Sequence, residues 1–557
     1  MTLIDVIILI ATLSFIVIYG VYKTQKQNSV KDYIKGGNTS QWWTVGLSVM
    51  ATQASAITFL STPGQAFNDG IGFVQFYFGL PIAVVVICLV FIPIYHKLNV
   101  YTAYEYLESR FDLKTRTLTA LLFLIQRGLA AGITIFAPSI ILSAVLGWNL
   151  VYLNIIIGSL VIIYTVSGGT KAVNVTQKQQ MAVIFGGLIT TFFIIISQLP
   201  DQVSFSNALD IAGRTGKLDA LDFSLDLDNR YTFWSGIIGG SFLALSYFGT
   251  DQSQVQRYLS AKNLKESQLG MLFNGFLKVP MQFFILMVGV MVFVFYQFNS
   301  APLNFNPAAE ETIKTSIHAE EYKNLEQALI EVESKQQEFN LKHINKTLTL
   351  TEAKQLKAFE KQKENLRVQA AQLIDSLNTE VETNDKDYVF IHYILNHLPK
   401  GLIGLLIAVI LSAAMSSTAS ELNALASTTT IDLYQRNKGN LSEKHYVKAS
   451  KLFTFLWGVL AIIVACTANL FDNLIQLVNI IGSIFYGNVL GIFLLAFFIR
   501  FVKSRAVFIA ALITQIIVIY GFWQDWMPYL WLNLFGCLLV ISIAIAIQLT
   551  QKKAEAI

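Results

Sequence analysis

Apolar residues in this chain fall in long runs separated by short polar clusters, and the runs are of membrane length. A helix crossing ~30 Å of hydrocarbon needs ~20 mostly apolar residues, because lipid offers no partner to backbone N–H and C=O groups. At that window the sequence predicts thirteen helical stretches, near 3–22, 43–65, 73–96, 117–146, 149–167, 181–199, 233–256, 266–297, 388–434, 450–469, 473–499, 505–523 and 528–549. The segment between the eighth and ninth is of another kind. Residues 299–390 hold 16 of the 36 acids and 11 of the 40 bases. Within it, IHAEEYKNLEQALIEVESKQQEF and TEAKQLKAFEKQKENLRVQAAQLIDSLN carry apolar residues at helical spacing with few Gly or Pro. They predict an antiparallel helical hairpin turning near 341–350, either a solvated appendage or a docking site for a partner protein.

Three stretches depart from uniform apolarity. The second, WWTVGLSVMATQASAITFLSTPGQAF, and the seventh, GIIGGSFLALSYFGTDQSQVQRYL, place Ser, Thr, Gln and Gly at mid-membrane depth. Interrupted helices at corresponding positions in two halves mark the binding site of inverted-repeat carriers, because unwound carbonyls there can coordinate a cation. With a five-helix unit, stretches two to six and seven to eleven correspond, and the two interrupted helices open them. The ninth stretch reads GLIGLLIAVILSAAMSSTASELNALASTTTIDLY. Ser416 and Ser417 follow the small Ala413 and Ala414, and their hydroxyls are hard, neutral oxygen ligands. A Na⁺ site wants about five oxygens, so carbonyls of a broken helix and two hydroxyls of its neighbour would suffice. Serines in membrane helices also serve as interhelical glue, and both readings stand at this point.

Composition and charge narrow the class. Only 14% of the 557 residues are charged and 54% are apolar, far from the ~25% charged residues of a soluble protein. Basic residues gather in alternate loops: Lys23, Lys26, Lys31 and Lys35; Lys97, Arg110, Lys114 and Arg116; Lys171 and Lys178; Arg257, Lys262 and Lys265; Arg436 and Lys438; Arg500, Lys503 and Arg505; Lys552 and Lys553. The opposite short loops hold Arg214, Lys217 and Arg230 beside six Asp between 201 and 228. The positive-inside rule therefore predicts an external N-terminus, a cytoplasmic C-terminus and an extracytoplasmic charged segment. No continuous basic face suggests nucleic acid, and the three cysteines, Cys88, Cys466 and Cys537, sit in apolar runs without metal or disulfide spacing. Neither a P-loop nor a nucleophile–base motif points to an ATP-driven pump or an enzyme. The first apolar stretch lacks a basic n-region and reads as a retained helix rather than a signal peptide.

The stretches WWTVGLSVMATQASAITFLSTPGQAF, YTAYEYLESRF, YTVSGGTKAV, GTDQSQVQRYLSAKN and AAMSSTASELNALASTTTIDLY, in this order and spacing, resemble the sodium/solute symporter family. They are closer to its monocarboxylate, vitamin and iodide branch than to its sugar branch. The resemblance implies an all-α polytopic membrane protein with a LeuT-type 5+5 inverted repeat. The organisation expected is a first peripheral helix at 1–30, a first repeat at 40–200, a second at 230–300 and 386–500, the helical insert at 301–385, and two C-terminal helices at 505–550. It further implies a Na⁺ site of the carbonyls of Ala51, Ala54 and Ala413 with the hydroxyls of Ser416 and Ser417, an inner aromatic gate at Tyr247, and a cavity lined by Gln53, Ser55, Tyr77, Ala244, Tyr247, Lys278, Gln476 and Asn479.

One departure bears on the ion. Where the family has Thr-Asp, this chain has Thr176-Gln177, which removes a carboxylate beside the Na⁺ exit and leaves Gln177, Gln180 and Glu421 as coupling candidates. Glu421 lies one turn after Ser417 on the same face, where it would replace that carboxylate or else pair with Lys278, Arg127 or a backbone group; a Glu421→Gln variant that kept its sodium dependence would remove the first role. Asp251 reads chiefly as a helix cap, and Arg127, inside a span, requires an interior partner. The expected activity is Na⁺-coupled symport of a small carboxylate or neutral polar metabolite across the cell membrane. A proton-coupled or uncoupled carrier, or a sensor using the insert, is the alternative.

Overall fold

The computed structural model describes residues 2–23, 29–377, 381, 383–439, 441–467 and 473–555. Lys26, the end of the second insert helix at 378 and the end of the tenth stretch at 468–469 lie outside them. Each of the thirteen apolar stretches is helical where described. Nine helices among the described residues are long and apolar enough to cross a membrane, and three more, Leu3–Ile16, Leu150–Ile163 and Ser235–Gly249, are apolar but shorter.

We number the principal helices α1 (Leu3–Lys23), α2 (Trp42–Gln53), α3 (Ala56–Asp69), α4 (Leu113–Leu146), α5 (Leu150–Ser197), α6 (Gly240–Gly249), α7 (Gln252–Leu259), α8 (Leu264–Phe295), α9 (Ala319–Ile344), α10 (Leu350–Ser376), α11 (Leu402–Thr428), α12 (Glu443–Thr467), α13 (Leu474–Phe498), α14 (Ser504–Trp523) and α15 (Tyr529–Glu555). Helix α11 is enclosed by α1, α4, α5 and α12, and α8 packs along both α2 and α3. Small residues permit these approaches: a Cβ on Gly404 would stand 2.1 Å from Asp5 O, and one on Gly289 2.2 Å from Pro63 O. The interior is a continuous apolar core, while exposed Leu, Ile and Phe cover the outside, as expected where the surrounding solvent is lipid.

Two expectations about elements are corrected. The ninth stretch is not one helix: it divides into Val389–His397 and α11, with Gly401 at φ +89° between them. Pro399 cannot continue the first helix and Gly401 supplies the turn. The fifth and sixth stretches are two helices, numbered together as α5, that abut at a kink where Gly169 takes φ 54° and ψ −165°. The third begins as a 3₁₀ segment at Gly70–Tyr77.

The insert forms the expected hairpin of α9 and α10 with a small core of its own that includes Tyr322, Leu329, Val332, Leu366 and Ile374. A capping box at Thr349 and Glu352 starts α10. It is not a detached appendage. The Arg367 guanidinium lies 4.8 Å from the Phe305 ring and 5.9 Å from that of Phe67 on α3, Asn340 donates to Gln297 Oε1 at 3.5 Å, and His343 meets Arg214 at 2.6 Å and also contacts Asp210.

Candidate ion site and central cavity

Both interrupted helices are broken where the polar residues fall. Between α2 and α3, Ala54 has ψ 72° and Ser55 is extended. The Ser55 N–H donates to Gln53 O at 3.0 Å and the Thr58 N–H to Ser55 O at 3.0 Å. In an unbroken helix those donors would serve Ala51 and Ala54. The break thus takes the helical donor from two of the carbonyls expected at the ion site. The second break falls at Thr250–Asp251, where the Asp251 carboxylate caps α7 by accepting from the Ser253 N–H at 2.9 Å.

Helix α11 packs against α2 and α3 beside the first break. Ser416 Oγ is buried without a hydrogen-bond partner, whereas the Ser417 hydroxyl donates to Ala413 O at 3.1 Å and Ala414 O at 3.2 Å and keeps its lone pairs. Carbonyls without helical donors at the break and an unpartnered buried hydroxyl on the helix packed there are hard-oxygen groups of the kind Na⁺ accepts. Next to it, Gln177 Nε2 donates to Thr52 Oγ1 and Ser420 Oγ, both at 3.2 Å, and its Oε1 accepts from Ser48. The amide therefore ties α5 to α2 and α11 where a carboxylate would face the ion. Gln180 donates to Ser412 O at 2.9 Å and serves the same helix pair.

Between the two breaks lies a cavity of about 80 Å³. Gln53, Ser55, Tyr77, Tyr247 and Asn479 line it, together with Thr52, Thr58, Phe76, Leu243, Ile475 and Val478. Three residues expected in its wall stand elsewhere. Ala244 is buried outside the lining, one position round the helix from Leu243. Gln476 lies toward the insert end, where its Nε2 donates to Gln65 Oε1 at 3.1 Å and its Oε1 accepts from Arg230. Lys278 is fully buried behind Tyr77, its Nζ 5.7 Å from that ring and without a hydrogen-bond partner.

The wall also contains a charged cluster that no local pattern in the sequence announces. Arg127 of α4 donates through Nη1 to Glu421 Oε1 at 3.0 Å and through Nη2 to Tyr486 OH at 2.7 Å, and it pairs with Asp251. Thr134 donates to the second Glu421 oxygen at 2.8 Å, and Tyr486 OH donates to Asp251 Oδ2 at 3.1 Å. The Tyr247 ring lies 5.4 Å from the guanidinium. One guanidinium and two carboxylates leave a formal charge of −1 beside the candidate ion site. Glu421 is thus set against α4 and not at the Gln177 position, because Ser420, the next residue back, occupies the face of α11 toward α5.

The fold is that of a cation-coupled carrier. Across 98% of both chains it matches the structure described as the "substrate-bound outward-open state of a Na⁺-coupled sialic acid symporter" with a TM-score of 0.76 at 23% identity. The profile of the sodium:solute symporter family matches residues 33–331 and 370–514, and the chain belongs to that family. Members of that family are sodium:solute symporters, and Na⁺ is the family's coupling ion. Among curated relatives, the sodium/sialic acid symporter SiaT of Proteus mirabilis is 24% identical over 96% of this chain and 92% of its own length. The human sodium-coupled monocarboxylate transporter 1 is 35% identical over 46% of this chain and 42% of its own, and the human sodium/iodide cotransporter 32% over 48% and 42%. The segments aligned with these human proteins span about two fifths of their lengths.

Proposed function

We propose that this chain carries a small organic carboxylate into the cell with Na⁺, by alternating access across thirteen membrane crossings, with the N-terminus and insert outside. In this reading 40–200 and 230–300 with 386–500 are inverted five-helix repeats, flanked by α1 and by α14 and α15. One observation carries it: the break at Ala54–Ser55 takes the helical donors from the Ala51 and Ala54 carbonyls beside the unpartnered Ser416 hydroxyl. Na⁺ bound by these groups with Ala413 O and Ser417 Oγ would offset the formal −1 of the Arg127, Asp251 and Glu421 cluster. An anionic solute would then meet a neutral wall, and Arg127 Nε, a buried donor without a partner, is available to its carboxylate. The relatives named for monocarboxylates, sialic acid and iodide support an anionic cargo. Release toward the cytoplasm would pass Tyr247, whose hydroxyl accepts from Gln254 at 2.6 Å.

Purified protein in proteoliposomes, offered a panel of labelled short carboxylates, tests the reading. Uptake should follow an inward Na⁺ gradient, and Ser416→Ala should raise the Na⁺ concentration for half-maximal uptake by roughly tenfold through loss of one ligand. A second reading, proton coupling, is favoured by the amide at Gln177 and the buried Glu421 carboxylate; uptake that follows a pH gradient and ignores Na⁺ would establish it instead.

A further inference from the structure

The insert returns to the membrane body through residues 383–388, and this short segment touches both walls of the cavity at their outer ends. Its fold is fixed from the insert side: Asn304 Nδ2 donates to Thr383 O at 3.1 Å, and the Phe305 N–H donates to Asp385 Oδ2 at 2.8 Å. From there the backbone is pressed onto α3, where a Cβ on Gly64 would stand 1.8 Å from Lys386 O. The Lys386 ammonium lies 3.3 Å from Asp69 Oδ2 at the end of the same helix. One residue further, the buried Asp387 carboxylate accepts from the Leu474 N–H at 3.0 Å, the first amide of α13. A carboxylate suits this place, since the first amides of a helix are unsatisfied and carry positive partial charge.

The two helices so joined are the cavity's opposing walls, α3 through Ile57 and Thr58 and α13 through Ile475, Val478 and Asn479. Beside the latch they meet directly, Gln65 Oε1 accepting from Gln476 Nε2 at 3.1 Å and also from Asn473. Opening the cavity outward separates α3 from α13, which requires these bonds and the Asp387 bond to break together. The insert can influence that step because the segment bearing Asp387 is held by Asn304 and Phe305 at the insert's root, and Phe305 in turn packs under Arg367 of the insert.

We propose that residues 383–388 form an outer latch through which the insert sets the balance between closed and open outer faces, with Asp387 as the positioning residue. This rests on the alternating-access reading, and its test reads labelling, with uptake used only to separate the two. In full-length protein in which the three native cysteines are replaced, Ile475→Cys reports on the cavity through its rate of reaction with a membrane-impermeant maleimide added outside. Without Na⁺, Asp387→Ala raises that rate by roughly tenfold, the scale of one hydrogen bond to a charged group, and Asp387→Asn, which retains an acceptor, raises it less. Reaction at the parental rate in folded Asp387→Ala overturns the latch. Should that variant not fold, an unchanged rate in Asp387→Asn together with unchanged half-saturation by Na⁺ overturns it equally. Protein that shows Asp387-dependent labelling but no Na⁺-driven uptake sinks the coupling reading and leaves the latch standing.

Discussion

Side chains at the ion site divide into those whose role follows from their own stretch of sequence and those fixed by residues hundreds of positions away. The break itself is of the first kind, because a run of Thr, Gln, Ala and Ser at mid-membrane depth predicts an unwound turn, and the structure puts it at Ala54–Ser55; an ion role for Ala51, Ala54 and Ser416 is what the family resemblance implies. Arg127 belongs to the second. Its need for an interior partner is legible and its pairing with Glu421 is one of the readings the sequence leaves open, but the further pairing with Asp251 depends on three helices converging. Ala244 shows a subtler limit: a helix advances ~100° per residue, so an error of one position turns a side chain from the cavity into packing. The amide of Gln177 provides the sharpest test at this scale. Gln177→Asp would place a carboxylate against the hydroxyl of Ser48, which already donates to this side chain, and those of Thr52 and Ser420, which can reverse to donate. That added charge, in a low-dielectric site, should lower the Na⁺ concentration for half-maximal uptake by roughly tenfold; an unchanged or weakened Na⁺ dependence would show that the amide's two donated bonds matter more than charge.

Among the elements, those with a uniform pattern were the easiest to locate, and the errors fell where one or two residues override it. The apolar runs, the two broken helices and the hairpin turn near Asn345 follow from periodicity and turn chemistry. Pro399 and Gly401 divide the ninth stretch although its mean hydropathy is continuous, and Gly169, at φ 54° and ψ −165°, separates the two helices of α5. Docking of the hairpin was illegible because its contacts, Arg367 on Phe67 and His343 with Asp210 and Arg214, join segments far apart in sequence. The hairpin also holds a titratable group that makes its stability depend on pH. Burial pushes the Glu333 carboxyl above its ordinary range, against the opposing pull of the Ala301 N–H, Lys363 and Arg367. A carboxyl whose pKa is raised on folding binds its proton more tightly when folded, so its contribution is fully present below the unfolded value near 4.5 and is lost as pH rises through the folded one. Limited proteolysis of the insert should accordingly slow as pH falls from neutrality toward 4.5, and Glu333→Gln should remove that part of the dependence. Equal pH profiles in parent and variant would exclude Glu333 as its source.

For the molecule as a whole, the charge inventory predicts how much of the membrane potential the carrier can use. In the reading proposed above the ion sits at the break at Ala54–Ser55, whose released carbonyls lie where α11 packs, and beside it Gln177 directs N–H donors at Thr52 and Ser420 and supplies no carboxylate for a second cation. One Na⁺ per cycle follows, with a Hill coefficient for Na⁺ near ~1. If the cargo is a monovalent carboxylate, the loaded carrier then moves no net charge. A potential of 100 mV contributes ~2.3 kcal/mol per charge moved, roughly a 50-fold change in accumulation, and an electroneutral cycle forgoes all of it. Na⁺-driven accumulation of the carboxylate should therefore be the same in vesicles clamped at zero and at −100 mV inside with K⁺ and valinomycin. A roughly 50-fold rise at −100 mV would mean instead that a neutral solute is carried or that a second Na⁺ accompanies the anion, and the slope of uptake against Na⁺ would separate these. A neutral solute keeps a Hill coefficient near ~1, and then the unpartnered Arg127 Nε would need to be reassigned from a carboxylate to a carbonyl or hydroxyl of the cargo.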